Sequence, residues 1–168
     1  SAAEAPIVVD KDPLWLPLIL YQAPQKGLGR NPASVVYGRF GNDPWNNPRL
    51  PSPSSLRWLS ARGIRRVVVG HTPCGDLPAI LRPPAEWHAD VEIVVADNSR
   101  GRLDHGNALV VEDEAIDVKA RTALDDGRVA DVAYVLARDD AGSAVGRVTE
   151  DGFLVKAVVD DDAYVFRF

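Results

Sequence analysis

Residues 67–76 read VVVGHTPCGD, and this stretch decides the fold class that the sequence predicts. Three consecutive valines favour a buried β-strand, because β-branched side chains pack well on a pleated surface. Gly70 then lets the chain turn sharply directly after the strand. The stretch therefore predicts a strand that leads into a loop, with His71 presented at the strand end as a candidate metal ligand.

The segments around this stretch complete an α/β pattern over residues 54–98. Ser54 or Ser55 is expected to cap a helix that runs to about residue 61. Residues 64–69 and 91–96 are both rich in β-branched side chains, which predicts two buried strands. Residues 78–81, between these strands, are expected to form a short helical turn.

The two predicted strands end in polar residues of potential use. The first leads to His71 and the second to Asp97. Ligands gather beyond the carboxyl ends of the strands in α/β sheets, so these two side chains are expected at one edge of the sheet.

The last third of the chain is expected to be rich in β-strands. Apolar and polar residues alternate there, and Asp-Gly pairs at positions 126–127 and 151–152 indicate hairpin turns. The strand candidates are residues 108–111, 117–120, 131–137, 144–149, 153–159 and 163–168.

Residues 1–53 contrast with this pattern, because they hold nine of the 13 prolines. The predicted organisation is an irregular, proline-rich segment over residues 1–53, followed by a half-domain over residues 54–168. Trp15 and Trp45 lie in this first segment, where they either anchor a partner or pack locally. The sequence begins at Ser1 without methionine, which favours a processed or truncated chain.

Composition excludes several classes of function. A net charge of -5 gives no electrostatic reason to bind nucleic acid or an anionic membrane surface. No run approaches the roughly 20 apolar residues of a transmembrane helix. We therefore expect a soluble protein, cytoplasmic or organellar, with no nucleic-acid partner. A single cysteine, Cys74, excludes an intrachain disulfide.

The chain predicts a strand, then GHTP, then a short segment, then a second strand that ends in Asp. This order resembles the late histidine motif of calcineurin-like metallophosphoesterases. The resemblance is to the bacterial-like phosphoprotein phosphatase branch of protists, algae and plants. It covers most of residues 33–168 and includes VEIVVADNSRG, HGNALVVED and GRVTEDGFLVKAVV, although GHTP is its specific part.

The resemblance implies the second half of a metallophosphoesterase β-sandwich flanked by helices. It implies hydrolysis of phosphate monoesters by a pair of divalent cations, manganese, iron or zinc, that hold a bridging hydroxide. By the same resemblance His71 would ligate a metal, Asp97 would lie near the site, and Arg39 would clamp the phosphate.

The early motifs of this family, Gly-Asp-x-His-Gly, Gly-Asp-x-x-Asp-Arg-Gly and Gly-Asn-His-Glu, do not occur in the sequence. Two hypotheses follow. In the first, the chain is the C-terminal half of an enzyme whose missing N-terminal half supplies the other ligands. In the second, it is a catalytically inactive, phosphatase-like subunit of a larger multiprotein complex, in an organelle or elsewhere in the cell.

Other candidate residues have simpler interpretations. Cys74 near His71 suggests a nucleophile, but a core or loop cysteine is favoured. His88 and His105 are interpreted as loop or turn residues. The aspartate runs at 139–140 and 160–162 lack the spacing of a calcium loop and are interpreted as turns. Trp58 is predicted to lie in the core.

Overall fold

The computed structural model describes residues 40, 48–70, 74–97, 107–124, 126–138, 140, 142–159 and 162–166, all within one compact unit, Phe40–Phe168. These residues contain one α-helix and eight β-strands, so this part of the chain is a mixed α/β fold dominated by strands. The elements are α1 Pro53–Ser60, β1 Arg66–Val69, β2 Ala79–Leu81, β3 Glu92–Val95, β4 Asn107–Val111, β5 Ala115–Ala123, β6 Val129–Ala137, β7 Leu154–Val159 and β8 Asp162–Phe166.

Helix α1 begins at a serine cap, as the sequence predicts, but two residues earlier than expected. The Oγ of Ser52 accepts a hydrogen bond from the backbone N–H of Ser55 at 3.2 Å. Pro53 occupies the first helical position, where its missing N–H leaves no bond unmade. Gly63 follows the helix with a φ of 73°, a left-handed conformation that glycine adopts without strain.

A three-stranded sheet lies at the centre of the described structure, with the order β1-β3-β2. β1 and β3 are parallel, and Val69 is paired with Val95. β2 is antiparallel to β3, with Ile80 opposite Val94. All four residues of β3 are buried, because the strand has neighbours on both edges and layers on both faces.

The remaining strands form two antiparallel units. β4, β5 and β6 are a three-stranded meander, and β7 and β8 are a hairpin. Residues of β5 alternate between buried and more exposed positions, which is the period of a sheet with one covered face. The turn between β5 and β6 contains Gly127 with a φ of 83°, at the predicted Asp-Gly turn.

Two clusters of buried side chains show how these elements are layered. On one face of the central sheet, Ile93 and Val95 of β3 pack with Leu56 of α1. On the other face, Val94 packs with Ile116 and other side chains of the meander. The described part is therefore a three-layer arrangement of helix, central sheet and meander, with alternate residues of β3 in the two cores.

Two of the expected elements are wrong. Residues 78–81 were expected to form a helical turn, but Ala79–Leu81 is the strand β2, because β3 supplies its hydrogen-bond partners. Residues 144–149 were expected to form a strand. Instead they turn at Gly146, whose φ is 86°, and Val148 makes a single isolated bridge to Leu154.

The prediction that Trp58 lies in the core is also wrong. Its side chain is 55% exposed, and the guanidinium of Arg62 lies 3.7 Å from the centre of its ring. Leu56 occupies the buried face of α1 instead. The predictions for residues 1–39, Trp45 and His105 lie outside the described residues. Within the described part, no helix is long and apolar enough to cross a membrane.

Candidate functional site

The carboxyl ends of β1 and β3 meet at one edge of the central sheet. The N–H of Ala96 donates to the carbonyl oxygen of Val69 at 2.9 Å, which continues the parallel pairing to the strand ends. A Cβ atom placed on Gly70 would lie 3.5 Å from Oδ1 of Asp97. The half-buried Asp97 carboxylate therefore lies against the backbone that leads into the GHTP stretch.

The other two predicted site residues, His71 and Arg39, lie outside the described residues. Their predicted roles as metal ligand and phosphate clamp stay predictions. Gly70 lies beside Asp97, so the chain enters the segment that contains His71, which we call the histidine loop, next to the Asp97 carboxylate.

Lys156 is a charged residue of this edge that the sequence interpretation did not single out. Its side chain is only 1% exposed. The Nζ donates to the backbone carbonyl of Cys74 at 2.6 Å and to that of Leu77 at 2.7 Å. Burial lowers the pKa of Lys156 to about 8, and Cys74 and Asp76 oppose this change. The amine is therefore mostly protonated at neutral pH.

A β-bulge explains why a lysine in an apolar strand points into the structure. Val155 of β7 is paired with Val165, whereas Ala157 is paired with Tyr164, so Lys156 is the extra residue of the bulge. An extra residue re-aims the side chains beside it. As a result Leu154, Val155, Lys156 and Ala157 are all buried. The sequence signal was a single lysine inside the apolar run FLVKAVV.

Cys74 is buried beside this lysine and is a poor nucleophile. Its side chain is 4% exposed. Burial raises the pKa of the Cys74 thiol, and the Asp97 carboxylate raises it further, while Lys156 and a backbone hydrogen bond lower it. A thiol with a raised pKa stays protonated, and the thiolate is the reactive form. The interpretation of Cys74 as a core cysteine fits this environment.

The described residues of this edge supply few of the donors that the metal pair implied by the resemblance needs. Each divalent cation needs about four to six donors with lone pairs. The described donors here are the carboxylates of Asp76 and Asp97, whereas the protonated Lys156 amine has no lone pair and repels cations. No group of three or more His, Cys, Asp or Glu side chains suited to a metal occurs among the residues that the structure describes.

Two of the remaining candidates are described and fit their predicted roles as loop or turn residues. His88 is exposed and has a left-handed φ of 49° at the end of a 3₁₀ turn. The Oδ1 of Asp140 accepts hydrogen bonds from the N–H groups of Gly142 and Ser143, which is a turn contact.

Comparison with known proteins finds no matching family model and no significantly similar curated protein or solved structure.

Proposed function

We propose that this chain is a metallophosphoesterase-like module that acts without catalysis, as a structural subunit of a larger protein assembly. The observation that carries the proposal is the buried ammonium of Lys156 beneath the loop that follows β1. It donates to two carbonyl oxygens of that loop at 2.6 and 2.7 Å. The ammonium group of Lys156 thus binds the loop in which the resemblance predicts a metal ligand, His71.

The physical argument concerns what the loop needs to keep its shape. Buried carbonyl oxygens require a partner, and hard metal cations are one kind of partner for them. Lys156 supplies such a partner from within the chain, so the carbonyl oxygens of Cys74 and Leu77 need no added ion. Its positive charge also opposes the approach of a divalent cation to Asp76. Both effects favour a module that keeps the fold of the family without its chemistry.

The surface of β1 supports a role in assembly. This strand is RVVV, and among the described residues it is paired on one edge only, with β3. Val68 is 49% exposed. Parallel strands are usually covered on both faces, and open apolar edges tend to pair with further chain. A strand from the rest of this chain or from another subunit would complete the sheet here.

A metal analysis of the natural full-length chain, purified with its partners, tests this proposal. We expect less than one equivalent of manganese, iron or zinc, no turnover of p-nitrophenyl phosphate, and no change in thermal unfolding with a chelator. Two equivalents of metal together with turnover would overturn it.

Hydrolysis of phosphate monoesters is the second candidate, and the contact between Gly70 and Asp97 favours it. That contact brings the histidine loop and a carboxylate together at the strand ends, where a metal site completed by missing N-terminal motifs would lie. If turnover is observed, Asp97→Asn should lower it at least tenfold. The matched control is Asp90→Asn, an exposed carboxylate outside this edge, which should leave turnover unchanged.

A further inference from the structure

A cavity of about 580 Å³ lies at the opposite end of the central sheet, where β3 begins. We call it the amino-end cavity. Its lining includes three arginines, Arg82, Arg138 and Arg147, together with Trp87, Pro83 and Pro84. This volume lies within the range of small-molecule sites, and the lining combines cationic and flat apolar side chains.

One of these arginines makes four hydrogen bonds within the protein. Arg82 donates twice to Oε1 of Glu92, at 2.8 and 3.0 Å, and also to the carbonyl oxygens of Ala137 and Asp140. The other oxygen of Glu92 accepts two hydrogen bonds from Arg66, at 2.8 and 3.0 Å. Glu92 therefore has no capacity left to neutralise a further cation in the cavity.

The other two carboxylates of the lining are engaged as well. Asp90 pairs with Arg65. Asp140 accepts two backbone hydrogen bonds from its own turn. The carboxylates of the described lining are thus occupied, and Arg138 adds positive charge to the wall of the cavity.

Arg138 has a buried donor that lacks an acceptor. Its Nε makes no hydrogen bond to any described residue. Among the described carboxylate oxygens, Oε2 of Glu114 is 3.8 Å away, beyond hydrogen-bond distance, and the Glu114 side chain is 83% exposed. Backbone pairing of Arg138 with Glu114 fixes the position of the arginine. A buried donor without an acceptor is costly, and the part of the Arg138 side chain that stays exposed, 19%, leaves its guanidinium able to take an acceptor from outside the chain.

We propose that the amino-end cavity binds a small organic anion, in which a phosphate or carboxylate accepts from Arg138 and a flat ring lies against Trp87. A guanidinium matches the oxygens of either oxyanion. Trp87 and the two prolines provide the apolar wall that a ring requires. This site is independent of the proposed function at the other end of the sheet.

Titration calorimetry with simple probes tests both halves of the proposed ligand. AMP and indole-3-acetate join an oxyanion to a ring, whereas adenosine lacks the oxyanion and inorganic phosphate lacks the ring. We expect the two complete probes to bind at least tenfold more tightly than adenosine or phosphate. Preference between AMP and indole-3-acetate distinguishes a phosphate ligand from a carboxylate ligand.

Variants of the cavity locate the site. Arg138→Gln should weaken the better probe at least tenfold, since a charge-assisted hydrogen bond is lost. Arg121→Gln is the matched control, because Arg121 is exposed and paired with Asp131 on the meander. Glu114→Gln should leave binding of the probe unchanged or make it tighter. It provides the test of the site if the Arg138→Gln variant does not fold. The proposal is wrong if neither AMP nor indole-3-acetate binds at millimolar concentration, or if phosphate alone binds equally well. It is also wrong if Arg138→Gln leaves the affinity unchanged, or if Glu114→Gln weakens binding.

Discussion

We expect the free energy of unfolding of the wild-type protein to rise between pH 8 and pH 10.5. Replacing Lys156 by methionine should abolish this rise. The wild-type amine is buried under the loop that follows β1 and donates to Cys74 and Leu77. Methionine has a similar length and suits an apolar site, but it carries no charge and donates no hydrogen bond. The comparison therefore isolates the protonation of this single amine.

The direction in which the free energy of unfolding changes with pH follows from the pKa of Lys156 in the folded and unfolded chain. Burial lowers the pKa of Lys156 from its ordinary 10.5 to about 8. Between these values the unfolded chain keeps the proton that the folded chain has released, so the free energy of unfolding rises with pH. The added stability is fully present above 10.5 and is lost as the pH falls through 8. The difference between the two pKa values corresponds to about 3 kcal/mol.

At neutral pH two opposing effects determine how stable the Lys156→Met variant is relative to wild type. Two buried carbonyl groups lose their donor, at about 1–3 kcal/mol each. The cost of burying the ammonium, about 3 kcal/mol, disappears at the same time. We therefore expect a net loss of only about 0–3 kcal/mol at pH 7. The loss should grow by about 3 kcal/mol towards pH 10.5.

Urea unfolding followed by circular dichroism, from pH 7 to about 10.5, measures this difference. Burial raises the pKa of the Tyr134 phenol, which lowers stability as the pH rises above 10, but this effect is common to both proteins and cancels. Burial raises the pKa of the neighbouring Cys74 thiol, so the pair is repeated in a Cys74→Ala background to remove any contribution of this thiol. Lys119→Met, at an exposed position of β5, is the matched control.

A difference between wild type and Lys156→Met that stays constant over this pH range would refute the reasoning. It would mean that Lys156 keeps its ordinary pKa in the folded chain, because the carbonyl oxygens of Cys74 and Leu77 compensate the ammonium fully for its burial. The predicted coupling between burial of this amine and its protonation would then be wrong.

Two further predictions concern backbone fit and buried charge. Gly146→Ala should lower the free energy of unfolding by about 2–4 kcal/mol, because its φ is 86° and a Cβ would lie 3.1 Å from a backbone oxygen of β2. Gly127→Ala, with a φ of 83° and open space around it, should lose only about 1–2 kcal/mol by chemical denaturation; equal losses would contradict the steric argument. Glu92→Gln should destabilise by about 3–5 kcal/mol, because two guanidiniums lose their carboxylate, whereas the exposed Asp90→Asn should change thermal stability by less than about 1 kcal/mol. A Glu92→Gln protein as stable as wild type would show that this ion cluster is dispensable.

The strands with strong local signals were predictable from the sequence. β1 and β3 are runs of β-branched residues, and their observed bounds fall within two residues of the predicted ones. The hairpin at Gly127 was visible as Asp-Gly between alternating residues. These elements are determined by side chains that are close in the chain, so a local pattern is sufficient to find them.

Elements that depend on distant partners were missed. β2 has three residues, and its pairing comes from β3, so nothing in its own sequence distinguishes it from a turn. Trp58 lies at helical spacing from the leucines, but Leu56 fills the core and leaves the indole outside. Both results depend on which neighbours the fold brings together.

The sequence by itself determined that one strand ends just before Gly70 and a second just before Asp97, although of the two only the second is buried as predicted. Only the tertiary structure decided what surrounds that edge. It places Gly70 against Asp97 and, through a bulge in β7, brings Lys156 to carbonyl groups about 80 residues earlier in the chain. The physical reason is that strand formation follows from local side-chain pattern, whereas burial and protonation of a charge follow from neighbours distant in sequence.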